Sequence, residues 1–235
     1  NSAILAYESA RVKADTPLAV YLLGWAMNNA GRAEEGAKLQ RLGSLLPLGD
    51  AAQRQRLADG LAERKFVDEA LEQRRLIMQL GPLETWDGIE GWAVNQTAQH
   101  VGNALSKKEP LASAAAWERL QLSALLPSIS FTELQHYAML SHLIHRNRAL
   151  GLLAAGQPEK ARLEAWSGHE ALPLNTEFII DLVAAFEKHQ QRDMADKLFD
   201  SGFAQLTEVC TQFPRAALNH NNLAWMAARC RRRLD

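Results

Sequence analysis

The chain has 235 residues, 47% hydrophobic and 23% charged, with 26 Lys and Arg set against 27 Asp and Glu, and only 14 Gly, 8 Pro and 2 Cys. Those proportions belong to an ordinary globular protein and exclude collagen-like, disordered and disulfide-framework chains. A formal charge of −1 leaves no electrostatic footprint for rows of phosphates, so nucleic acid is not an expected partner, and no run approaches the roughly 20 apolar residues that span a bilayer.

The first residue is Asn1, with no basic start or apolar h-region behind it, so the chain reads as an internal piece of a longer protein, and the compartment stays open between cytoplasm and periplasm. Period-2 alternation is absent. Apolar residues recur instead at three and four, as in Leu57 and Leu61 and then Phe66, Ala70 and Leu71, the spacing of one helical face. Strong helix formers fill the intervals. In chain order the pattern predicts an orphan helix over 1–14, helix pairs over 17–50, 51–84, 85–128, 130–175 and 176–212, and an incomplete pair over 217–235, all as a single domain. Asp15 or Thr16 ahead of Pro17 caps one helix start, and Asn175-Thr176 ahead of Glu177 caps another. A loop is expected from Cys210 to Ala216.

Helices this short cannot each bury a core alone, which directs attention to internal periodicity. Leu23-Gly24, Gly31, Glu34-Glu35-Gly36 and Gly43 are followed 34 residues later by Leu57-Ala58, Lys65, Asp68-Glu69-Ala70 and Ile77. At the same interval Ala149, Leu152, Gly156, Ala161 and Gly168 map onto Val183, Phe186, Gln190, Ala195 and Gly202. Between the second and fourth units the register slips, and the extra residues, roughly 85 to 94 and 130 to 141, read as N-terminal extensions of two first helices.

These segments, with Asp68-Glu69-Ala70-Leu71, Pro158-Glu159-Lys160-Ala161 and Asn222-Leu223-Ala224-Trp225, resemble the tetratricopeptide repeat, a 34-residue helix-turn-helix. Small residues such as Gly24, Gly36, Ala58, Ala70 and Ala161 would sit where the two helices of a unit cross, letting the axes approach to about 8–10 Å. The resemblance implies an all-α, right-handed superhelical solenoid of antiparallel helix pairs, here with two elongated helices in the middle. First helices would line a concave groove and second helices the outer surface.

Residues one turn off the packing face should then point into the groove. They are Leu18, Tyr21, Trp25, Asn28 and Asn29 in the first unit, and Gln55, Asp59 and Glu63 in the second. Later units contribute Arg146, Leu150 and Leu153, then Ile180, Glu187 and Lys188, then Asn221, Trp225 and Arg229. Aromatic and Arg side chains concentrate binding energy, so the expected partner is a peptide or protein segment and the expected role a non-catalytic scaffold. The alternative is a helical accessory or substrate-recruiting domain of a larger enzyme or envelope complex. One subset of the family clamps carboxylate-ended tails with Lys and Asn. Tyr21 and Trp25 occupy the matching positions here, which disfavours that ligand.

Trp86, Trp92, His136, Tyr137 and His142 cluster in the two extensions and form a candidate secondary pocket. Among the seven His, Glu133 and His136 make one Glu-x-x-His pair, and His142 and His145 lie three apart. A di-metal bundle site needs two such pairs, and no His-Glu-x-x-His or Cys-x-x-Cys is present, so neither metal nor cofactor is assigned. Arg229 and Arg231 to Arg233 form the densest basic run, which at a helix C-terminus would offset the dipole. Whether Cys210 and Cys230 pair is open, since sequence sets no distance between them.

Overall fold

A computed structural model describes residues 16–48, 50–80, 89–125 and 131–233. Among them every regular element is an α-helix: α1 (Pro17–Asn29), α2 (Ala33–Leu45), α3 (Ala51–Glu63), α4 (Val67–Leu80), α5 (Ile89–Leu105), α6 (Pro110–Leu125), α7 (Phe131–Ala154), α8 (Pro158–Ala171), α9 (Thr176–Lys188), α10 (Arg192–Gln212) and α11 (Ala217–Cys230). None is long and apolar enough to cross a membrane. By its internal contacts the chain divides into two compact units, Asn1–Val101 and Gly102–Asp235. The orphan helix expected over 1–14, the first residues of the extension at 85–88, and Trp86 lie outside the described residues.

The starts and ends of the first helices show why the repeat exists. Thr16 Oγ1 accepts from Ala19 N at 3.3 Å, Asp50 Oδ1 from Gln53 N at 2.9 Å and Asn175 Oδ1 from Phe178 N at 3.1 Å, each satisfying an orphan donor of the first turn. At the far end the chain turns left-handed at Gly31 (φ 84°), Lys65 (φ 68°), Gly156 (φ 71°), Gln190 (φ 62°) and Arg231 (φ 53°). In all five turns the next amide reaches back five residues: Arg32 N to Met27 O, Phe66 N to Leu61 O, Gln157 N to Leu152 O, Gln191 N to Phe186 O and Arg232 N to Ala227 O. That six-to-one bond defines a Schellman turn. Positions 31 and 65, and 156 and 190, differ by 34 residues, so the sequence period is also a period of backbone conformation. This recurrence makes the fold tetratricopeptide-like. The α5 end departs from it, since Lys108 N and Glu109 N both return to Leu105 O.

In the first unit α1 packs on α2 and on α3, and α3 on α4. Tyr21, Leu57, Leu61 and Ala70 form its core, with Leu18, Ala62 and Phe66 against them. Arg54, 4% exposed, donates from Nη1 to Ser44 O and Gln73 Oε1 and from Nη2 to Leu48 O. It thereby holds the α2–α3 connection, including Leu48 in its left-handed conformation (φ 45°).

In the second unit α7 packs on α6, α8 and α9, and α9 on α8, α10 and α11. Each pair therefore leans on the next pair's first helix, the neighbour-only packing of a repeat protein. Phe178, Ile179, Leu182, Val183 and Phe186 of α9 meet Ala149, Ala161, Leu198, Phe199, Leu206 and Met226 in one continuous core. The middle helices are long, with 17 residues in α5 and 24 in α7 against 13 in α1 and α3. α10 is also long, at 21 residues. The expected loop from Cys210 is corrected, because Cys210, Thr211 and Gln212 belong to α10. Thr207 and Thr211 hydroxyls donate to the carbonyls of Phe203 and Thr207, which satisfies them within the helix rather than breaking it.

Candidate functional site

The expected groove residues separate into two groups when placed on their helices. Tyr21 (4% exposed) and Gln55 (3%) are core residues, which corrects their assignment to an open face. Leu153 and Ile180 are also buried. Tyr21 meets the Phe66 ring edge-on at 5.8 Å. Burial, followed by the Glu69 charge, pushes the pKa of its hydroxyl up to about 12. Gln55 accepts from Thr97 Oγ1 at 2.7 Å and donates to Asp59 Oδ1 at 2.9 Å. Asp59 also receives Arg74 Nη2 at 3.0 Å. Asn28 donates to Gln40 Oε1 at 2.5 Å. Gln55, Asp59 and Asn28 therefore spend their polar atoms on neighbouring helices. In the first unit Trp25 and Asn29 remain exposed on α1, and Trp25 lies edge-on to Phe66 at 5.8 Å.

The first helices of the second unit carry a connected strip of side chains. Arg146 of α7 donates from Nε to Asp181 Oδ2 of α9 at 2.8 Å, with Nη2 on the same oxygen. One turn before Asp181, Glu177 accepts from Trp225 Nε1 of α11 at 3.1 Å, and the Arg229 guanidinium sits 5.3 Å over the Trp225 ring. Trp225 nevertheless keeps 48% of its surface exposed, because Glu177 and Arg229 hold its indole at the surface. Asn221 is exposed one turn earlier. Leu150 is half-buried against the core, Lys188 is exposed, and Glu187 accepts from Arg232 at 2.9 Å. Sequence spacing missed Asp181 and Glu177, and the signal was available. An acid on one first helix and a cation or indole on the next form the cross-helix pairs of any stacked array.

Of the candidate secondary pocket, Trp92 falls within α5 and His136 and Tyr137 within α7, but their side chains lie outside the described residues. His142 is buried, edge-on to Phe178 at 6.0 Å. His145 Nδ1 pairs with Glu164 at 2.7 Å, and His169 Nε2 lies 3.0 Å from Ser201 Oγ. Among the described residues no group of three His, Cys, Asp or Glu is arranged to hold a metal. Cys210 and Cys230 are both free and buried, and burial pushes the Cys230 thiol up to about 11.

Burial holds His142 below its ordinary value, with the Arg146 charge acting in the same direction, and burial likewise holds His169 down. The unfolded chain therefore binds more protons than the folded one below the ordinary imidazole value of 6.5, and stability must fall as pH drops through that value. The urea midpoint is expected to be lower at pH about 5.5 than at about 7.5, a window above the carboxylate titrations near 4. His169→Gln should flatten the slope. A midpoint independent of pH across that window would contradict the burial of both rings.

No protein-family model matches the chain, and no curated protein matches it. Among solved structures the chain is similar to the crystal structure of MamA, at 14% sequence identity and a TM-score of 0.41, covering 80% of this chain and 96% of that one.

Proposed function

We propose that the chain is a non-catalytic protein-interaction scaffold, and that the first-helix face of its second unit binds an extended polypeptide segment around Trp225. The observation that carries this reading is the half-exposed indole of Trp225, fixed by Glu177 and Arg229 rather than packed away. A rigid aromatic held at the surface loses little entropy on binding, which is why Trp and Arg dominate interface hot spots. The Arg146–Asp181 pair and the Asn221 amide supply hydrogen-bonding groups for a peptide backbone on the same face. Trp25 and Asn29 are the corresponding exposed groups on α1 of the first unit. His142, His145 and His169 serve packing and pairing, His142 with Phe178, His145 with Glu164 and His169 with Ser201, which supports a scaffold over an enzyme.

Random dodecapeptides selected on the intact chain should bind a Trp225→Ala variant at least tenfold more weakly, a loss of ~1.4 kcal/mol or more. The helical circular dichroism should be unchanged. Selected peptides that bind the variant as well as the natural chain would overturn the assignment of this face.

A further inference from the structure

α10 carries acids and aromatics one turn apart, Asp196 and Asp200 alongside Phe199 and Phe203. On a helix that spacing stacks them along a single face. The chain after α11 turns left-handed at Arg231, and its two following arginines lie on this face. Arg232 donates to Glu187 Oε1 at 2.9 Å, to Asp196 Oδ1 at 2.5 Å and to Ala195 O at 3.3 Å, with its guanidinium 5.3 Å over Phe199. Arg233 donates to Asp200 Oδ1 at 2.9 Å and lies 5.1 Å over Phe203. Arg232 and Arg233 thus act through side-chain recognition, whereas Arg229 lies in the last turn of α11, the expected place for a charge on the helix dipole.

The two places differ in depth. The Arg232 side chain is 17% exposed, whereas Arg233 is 58% exposed and its partner Asp200 56%. Beside Arg233 the face opens into a groove of about 430 Å³ along Phe203, Ala204, Thr207, Glu208 and Thr211. A carboxylate beside an aromatic face is the chemistry that selects a planar guanidinium, which stacks and hydrogen-bonds at once, over a compact ammonium.

We propose that this face of α10 is a receptor for an arginine-bearing polypeptide segment, in which the partner takes the shallow place now held by Arg233 and extends to Glu208. The deep Arg232 contact stays in place and keeps α11 docked. Two consecutive arginines of the chain itself already sit on the ladder in the required manner, and Glu208 is exposed two turns further on, where it accepts from Gln212 Nε2 at 3.1 Å. This surface is distinct from the Trp225 face and does not depend on it.

The test uses amidated hexaarginine as probe, with hexalysine for comparison, titrated against the intact chain at about 0.15 M salt, where non-specific attraction between exposed charges is screened. Arg233→Ala vacates the shallow place and is expected to bind hexaarginine about tenfold more tightly than the natural chain. Adding Asp200→Asn and Glu208→Gln should return the affinity to the natural level. Arg231→Ala removes the same charge from an exposed neighbour and should gain much less, and hexalysine should gain less than hexaarginine. The proposal is overturned if Arg233→Ala gains no more than Arg231→Ala, if the gain survives loss of the two acids, or if hexalysine gains equally. Circular dichroism checks that each variant keeps its helices, and Arg233→Gln is measured in place of Arg233→Ala should that variant lose them.

Discussion

Replacing Phe178 with alanine is expected to destabilise the second unit by about 3–5 kcal/mol, the range for removing a fully buried aromatic ring. Phe178 is 1% exposed, and its ring spans three helices. It rises from the first turn of α9, where its amide donates to Asn175. It meets His142 of α7 edge-on, and it packs beneath α8, where a Cβ added at Gly168 would come within 2.5 Å of the ring Cζ. Phe178→Leu, which restores part of the volume, should recover most of the loss. The measurement is the urea midpoint at an unchanged m-value. A cost below about 1 kcal/mol would mean that the site collapses freely and that the ring does not tie the three helices together.

The second large effect concerns the crossing of α1 and α2 in the first unit. A Cβ at position 24 would lie 2.5 Å from Gly36 O and 2.6 Å from Gln40 N. Both are backbone atoms of α2, which cannot rotate aside as a side chain can. Gly24→Ala is therefore expected to cost about 3 kcal/mol, the upper end of overpacking penalties, even though alanine favours a helix over glycine by about 1 kcal/mol. Gly31→Ala is the matched control. Its added methyl meets nothing within 4 Å, so it carries only the left-handed backbone penalty of about 1–2 kcal/mol. Equal midpoints for the two variants would show that α1 and α2 are not held in contact through their backbones.

The repeat was legible because its determinants are local. Capping side chains at helix starts act within a turn of themselves, and small residues at the crossings act within one helix pair, as Gly24 does on Gly36 and Gln40, so both survive in a sequence compared with itself at 34-residue spacing. The left-handed turns were half legible. Gly31 and Gly156 announce theirs by composition, whereas Lys65, Gln190 and Arg231 adopt the same conformation because the Schellman bond, with the packing of the following helix at 65 and 190 and the docking of Arg232 after 231, outweighs the strain. The α10 extension was hidden because threonines near a proline suggest a break, and only the back-bonded hydroxyls show the helix continuing.

Helical class, repeat length and the positions of first and second helices follow from sequence alone, since each rests on interactions within one helix or one helix pair. Tertiary structure decided which of two similar aromatics is buried and which is exposed. Tyr21 sits against Leu57, Leu61 and Ala70, while Trp25, four residues on, stays at the surface beside Phe66. It also decided that Gln55 serves Thr97, 42 residues away, and that Arg232 serves Asp196, 36 residues back. Burial and pairing are set by which remote segment arrives opposite a side chain, and that depends on how successive pairs stack, a quantity no local pattern encodes.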